Sequence, residues 1–168
     1  MRTDKTLMRE ALKQAAQAAR EGEIPVGAVL IDRNGDLLAA AHNLRETTHD
    51  PMAHAEVLAL REAAVGRTER FFTDCTLYVT LEPCPMCAGA LIAARIGRVV
   101  YGAKDPRAGA FGSLMDLTQY PLEHRPQITG GVLADECIAP LRAFFAARRR
   151  GARSNDNDKT VQETEQRK

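Results

Sequence analysis

The 168-residue sequence has no long hydrophobic run, almost no net charge and few cysteines. Each shortage removes a class of protein. The longest apolar stretches, such as Val26 to Ile31, are broken by charge within a few residues. None approaches the roughly 20 apolar residues that a membrane span requires. The opening Met1-Arg2-Thr3-Asp4-Lys5 runs into an amphipathic pattern and not a signal-peptide core, so the expectation is a cytoplasmic protein with no membrane partner. With 23 Lys+Arg against 22 Asp+Glu the formal net charge is +1. Composition therefore does not announce a nucleic-acid binder, and any basic surface must come from local arrangement. The four cysteines sit at positions 75, 84, 87 and 137. Cys84 and Cys87 form a C-x-x-C pair of the kind a reducing compartment keeps free for metal, and Cys75 and Cys137 read as buried free thiols. No internal repeat is visible.

What is present is enough for one domain with a sizeable core: 45% hydrophobic and 27% charged residues. Met8, Leu12, Ala15, Ala16 and Ala19 recur at helical spacing, with Asp4 as the expected N-cap and Gly22 as the stop. Val26–Ile31 and Leu37–Ala41 read as strands joined at Asn34-Gly35, a hairpin signal. Asn43 to Pro51 is polar and reads as irregular. A helix is expected over His54–Ala64, pitched by Val57, Leu58 and Arg61, with Leu60 and Ala64 extending its apolar face. Thr76–Leu81 is the clearest strand, rich in β-formers, and Pro83 ends it before a helix from Cys84 to Ala94. Arg98–Tyr101 and Gln127–Thr129 supply two further strands, with a short helical stretch expected near Ser113–Thr118. A final helix spans roughly Ala134–Arg150 and carries Pro140, which should kink or delay it. Residues 151–168 are almost free of hydrophobes and read as a disordered polar tail after a domain of residues 1–150. A helix, a hairpin and then strand–helix units argue a three-layer α/β/α sandwich around a mixed five-stranded sheet.

The decisive feature is His54-Ala55-Glu56 followed by Pro83-Cys84-Pro85-Met86-Cys87. One imidazole and two thiolates hold three positions of a tetrahedral Zn²⁺ and leave the fourth for water. This H-x-E…P-C-x-x-C pattern is the known signature of zinc nucleobase deaminases. Cys84 and Cys87, at i and i+3, share one helix face in the first turn, where the helix dipole favours thiolate. Glu56 is not needed as a ligand and is free to move protons. The plainer reading is a structural zinc site closed by His42, His49, Cys75 or Cys137.

At these residues the chain resembles the cytidine/deoxycytidylate deaminase superfamily, and within it the bacterial tRNA-specific adenosine deaminases. The likeness extends through Ile24-Pro25-Val26-Gly27-Ala28-Val29, Thr76 to Cys84, Met86 to Ala90, Arg95 to Ala103, Gly112-Ser113-Leu114-Met115-Asp116, Leu133 to Cys137 and Phe144-Phe145…Arg148-Arg149. The resemblance implies a cytidine deaminase-like fold and deamination of adenosine to inosine at the wobble position of an arginine tRNA anticodon stem-loop. It implies one Zn²⁺ per subunit, held by His54, Cys84 and Cys87, with Glu56 as proton shuttle, in a homodimer. It also implies that Asn43 hydrogen-bonds the flipped nucleotide and that the Ala55 backbone reads the base edge. Val26 and Leu81 would wall the pocket, and Asp105 would face the flanking nucleotides. Lys104-Asp105-Pro106-Arg107 departs from the family pattern in its proline. Two other functions fit the same motif: deamination of a free nucleobase or nucleoside such as guanine or cytosine, and a non-catalytic zinc-stabilised RNA-binding protein.

Overall fold

The computed structural model of the protein describes residues 2–165, with side chains described through residue 152. Along the chain the elements are α1 (Asp4–Arg20), β1 (Gly27–Ile31), β2 (Leu37–His42), α2 (Arg45–Thr48), α3 (Ala55–Ala64), β3 (Thr76–Leu81), α4 (Pro85–Ala93), β4 (Arg98–Ala103), a 3₁₀ turn (Leu117–Gln119), β5 (Gln127–Thr129) and α5 (Ala134–Glu165). The strands form one sheet in the order β2-β1-β3-β4-β5. β1 runs antiparallel to both β2 and β3, while β3, β4 and β5 are parallel.

Strand alternation assigns the two faces. Val29, Ile31, Tyr78 and Val100 point into a cluster with Leu7, Met8 and Ala11 of α1 and Cys137 of α5. Their neighbours Ala28, Leu30, Leu77, Val79 and Val99 point the other way, against Ala55, Ala59 and Leu60 of α3 and Ala88 and Leu91 of α4. Helices on both faces of a mixed five-stranded sheet make the three-layer sandwich that the element order implies. Gly27 lets α1 lie directly on β1, because a Cβ there would run into the Ala11 carbonyl and the Ala15 amide.

Several local details differ from the sequence reading. Thr3, not Asp4, caps α1, its hydroxyl accepting the Thr6 N–H at 3.2 Å. Asp4 is instead drawn into an ion pair with Arg98 at 2.8 Å. The buried face of α1 is Leu7, Met8, Ala11, Ala15 and Ala18, rotated from the expected stripe. In α3 the buried positions are Ala55, Glu56, Ala59, Leu60 and Ala63, while Val57 is only half-buried and Arg61 is exposed. Small residues win there because the helix sits close to the sheet.

The 43–51 segment contains the short helix α2, held by a distant carboxylate described below. Near 113–118 the chain makes a Phe111–Asp116 bridge and then the 3₁₀ turn, whose cap is Asp116. Helix α5 passes through Pro140 and continues beyond Arg150, since a helical glycine such as Gly151 costs only about 1 kcal/mol. The expected tail falls on residues whose side chains, and for 166–168 whose whole placement, lie outside the described ones. Cys75 and Cys137 are free and buried, as expected. No helix of the described residues is long and apolar enough to cross a membrane.

Candidate active site

Two helix N-termini converge at one end of the sheet. His54 is the N-cap residue of α3 and Cys84 that of α4, where β3 has just ended at Leu81. Pro85 occupies the first turn of α4, where its missing N–H would be unpaired in any case. The result is a tight donor set: His54 Nδ1 lies 3.7 Å from Cys84 Sγ and 3.5 Å from Cys87 Sγ. The three ligand atoms all lie within 4.8 Å of one another, and no fourth His, Cys or acid joins them among the described residues. His42 pairs with Glu21 at 2.8 Å, and His124 reaches the Ile96 carbonyl at 2.6 Å. The closed, structural zinc site therefore has no fourth protein ligand among the described residues, whereas one imidazole and two thiols suit an open zinc site.

The electrostatics suit a cation at this point. Hydrogen bonding from Cys87, followed by that of His54, brings the Cys84 thiol down to about 4. Cys87 is pushed up, first by donating to Cys84 and then by burial. His54 is raised by its contact with Cys84. Glu56 is only 4% exposed, and burial pushes its carboxyl above the usual carboxylate range.

A cavity of about 140 Å³ opens over this cluster, and its lining includes Val26, Asn43, His54, Glu56, Leu81, Cys84 and Asp105. Five of these seven side chains come from segments that the sequence motifs single out, Asn43 follows directly on β2, and Asp105 enters from the loop after β4. Ala55 is buried behind the wall, and its N–H is held by Asn43 Oδ1 at 3.3 Å. Leu81 and Asp105 also line a second, larger groove of about 390 Å³. Lys104, Arg107, Arg142 and Arg149 edge this groove over an apolar floor of Ile138, Leu141 and Phe145. Phe145 packs on the core, and Phe144 meets it edge-on at 5.5 Å while Arg148 covers the Phe144 ring.

Three residues of the site escaped sequence reasoning. Glu82, 2% exposed, accepts N–H bonds from Asp105, Phe111 and Ser113, each at 3.1 Å, and a further bond from the Ser113 hydroxyl. It thereby moulds the loop that carries Asp105. Glu23, 1% exposed, accepts the Thr47 N–H at 2.7 Å, the Thr47 hydroxyl at 2.9 Å and the Glu46 N–H at 3.3 Å, which fixes α2. Arg45, in the first turn of α2, lines the catalytic cavity. The available signals were weak: a charge next to the C-x-x-C motif, and a cation two residues after Asn43.

Comparison with known proteins agrees with this geometry. Residues 1–103 match the family model described as the cytidine and deoxycytidylate deaminase zinc-binding region. A tRNA-specific adenosine deaminase of Bacillus subtilis is 46% identical over 92% of this chain and 98% of its own. A chain solved in a study of A-to-I editing by tRNA:A34 deaminases at the wobble position of transfer RNA superposes with a TM-score of 0.77. It is 38% identical, over 80% of this chain and 98% of its own. The guanine deaminase of Nitrosomonas europaea is more distant, with 27% identity and a TM-score of 0.70 over 87% of this chain and 86% of its own. Fold, donor set and relatives converge: the chain belongs to the cytidine and deoxycytidylate deaminase family, in the branch of the tRNA-specific adenosine deaminases.

Proposed function

We propose that the protein hydrolyses adenosine to inosine at the wobble position of a tRNA anticodon, with an arginine tRNA as substrate. The observation that carries this reading is the adjacency of two spaces. The cavity over His54, Cys84 and Glu56 shares Leu81 and Asp105 with a groove edged by four cations. A free base needs only the first space. An RNA loop has phosphates for the cations and unstacked bases for an apolar floor.

In this reading His54, Cys84 and Cys87 hold one Zn²⁺ per subunit, which supplies Lewis acidity that makes water nucleophilic at neutral pH. Glu56 takes a proton from the attacking water and delivers it to N1 of the purine. It then passes the second water proton to the departing amine, so that adenosine and water become inosine and ammonia. Its raised pKa suits a group that must hold the proton between these two transfers. Asn43 fixes the Ala55 amide at the base edge and bonds the nucleotide, Val26 and Leu81 confine the ring, and Asp105 faces the neighbouring nucleotides. The anticodon loop is already single-stranded, so flipping the base out costs little.

A homodimer in the cytoplasm completes the proposal. The exposed apolar side chains Leu114, Met115, Tyr120 and Leu122 cluster in one stretch of chain and are suited to self-association. The test incubates purified protein with an arginine anticodon stem-loop bearing wobble adenosine and, in parallel, with free adenosine, guanine and cytosine. Inosine at the single wobble position is expected, falling by about 10²–10⁴-fold in Glu56→Ala. Ammonia released only from a free base would overturn the RNA reading.

A further inference from the structure

Arg45 stands apart from every other cation near the site. Its backbone is fixed by the Glu23 anchor on α2, two residues after Asn43. Its side chain borders the cavity, yet among the described residues it makes no hydrogen bond or ion pair, and its Nε is buried without a partner. None of the three carboxylates that line the cavity, Glu56, Glu82 and Asp105, pairs with Arg45, and two of them are occupied elsewhere. Glu82 is saturated by the 105–113 loop, and Asp105 accepts the N–H groups of Arg107 at 2.9 Å and Ala108 at 3.2 Å. A guanidinium on an anchored helix, partly desolvated and left without an anion, is complete only when an anion arrives with substrate. A neutral base brings none. A nucleotide within a strand brings a phosphate one or two bonds beyond the sugar, and a guanidinium binds phosphate through paired N–H donors.

Resting on the wobble-adenosine reading, we propose that Arg45 is a specificity-determining residue that binds a phosphate adjoining the target nucleoside. It makes the catalytic cavity selective for a base carried in a strand. The groove cations Lys104, Arg107, Arg142 and Arg149 belong to a different space and are exposed. They contribute general attraction, whereas Arg45 contributes a contact at the reacting nucleotide itself.

The test compares wild type, Arg45→Gln and Arg45→Lys, on three labelled RNA stem-loops. One is unmodified, and the other two carry an uncharged methylphosphonate on the 5′ and on the 3′ side of the adenosine respectively. Affinity is read by fluorescence anisotropy on a Glu56→Ala background, and kcat and KM by inosine formation in the RNA with Glu56 intact. Arg45→Gln is expected to weaken Kd and raise KM about ten- to a hundredfold while kcat changes little. The slope of log affinity against log salt should fall by about one. At one of the two linkages the methylphosphonate should weaken wild type and leave Arg45→Gln unaffected, with Arg45→Lys partly retaining the penalty. Equal methylphosphonate penalties in wild type and Arg45→Gln, or an unchanged Kd, would overturn the role of Arg45. Wild-type silence on the unmodified stem-loop would instead overturn the underlying RNA reading.

Discussion

Glu82→Gln is the most searching perturbation of this site, because it preserves shape and alters only charge and hydrogen-bonding sense. Oε1 of Glu82 accepts Phe111 N–H and Ser113 N–H, both at 3.1 Å. Oε2 accepts Asp105 N–H at 3.1 Å and the Ser113 hydroxyl. Glutamine keeps one oxygen, enough for the first pair, but sets an NH₂ donor against the second. The Ser113 hydroxyl rotates to accept, whereas the Asp105 amide cannot. One buried N–H left unmet costs about 1–3 kcal/mol, and the bonds that remain lose their charge assistance. The total expected is about 2–4 kcal/mol, or a Tm lower by about 5–15 °C for a chain of this size.

Relief by movement is restricted, since the Gly109 backbone closes on the Glu82 carboxyl so tightly that a Cβ at that position would collide with it. The expected functional consequence is a displaced Asp105 with the metal still bound, so kcat/KM on the RNA stem-loop falls while zinc content stays at wild-type level. Urea unfolding followed by circular dichroism, metal analysis and inosine formation in the RNA measure the three quantities. A variant within about 0.5 kcal/mol of wild type would refute the claim that this carboxylate holds the loop together, since ordinary surface substitutions fall in that range.

Two further outcomes are expected. Stripping the metal with a chelator should lower Tm by about 10 °C, because a ligand at about 1,000 times its Kd adds about 4 kcal/mol. An unchanged Tm after complete removal would count against a metal coupled to both helices. In acid, the Arg98 guanidinium bonded to Asp4 holds that carboxyl below its ordinary value of 3.8, assisted by the Tyr78 hydroxyl at 2.8 Å. A depressed carboxylate pKa stabilises the fold above the unfolded value, and that contribution is lost as pH falls through the folded one. Unfolding midpoints taken from pH 6 down to pH 2 should therefore decline less steeply below about pH 4 in Asp4→Asn than in wild type; parallel profiles would show that the pair does not matter.

The donor set of His54, Cys84 and Cys87 was legible in the sequence because it depends on local spacing. His54 and Glu56 stand two residues apart, and Cys84 and Cys87 sit one helical turn apart, so a helix start at each motif suffices to set their directions. The β-branched run Thr76–Leu81 and the Asn34-Gly35 turn likewise declare themselves through short-range physics, and the five strands follow. The tertiary structure alone decided what depends on distant partners. The stripe of α1 that is buried is set by how closely Gly27 allows the helix to approach β1. Asp4 leaves its capping role because Arg98, 94 residues away, competes for it. Glu23 and Glu82 are unremarkable charges in the sequence and become anchors only when the amides of Thr47 and of the 105–113 loop are folded around them. Arg45 acquires meaning in the same way. Its isolation is a property of what surrounds it, and a linear sequence does not show which charges have found partners.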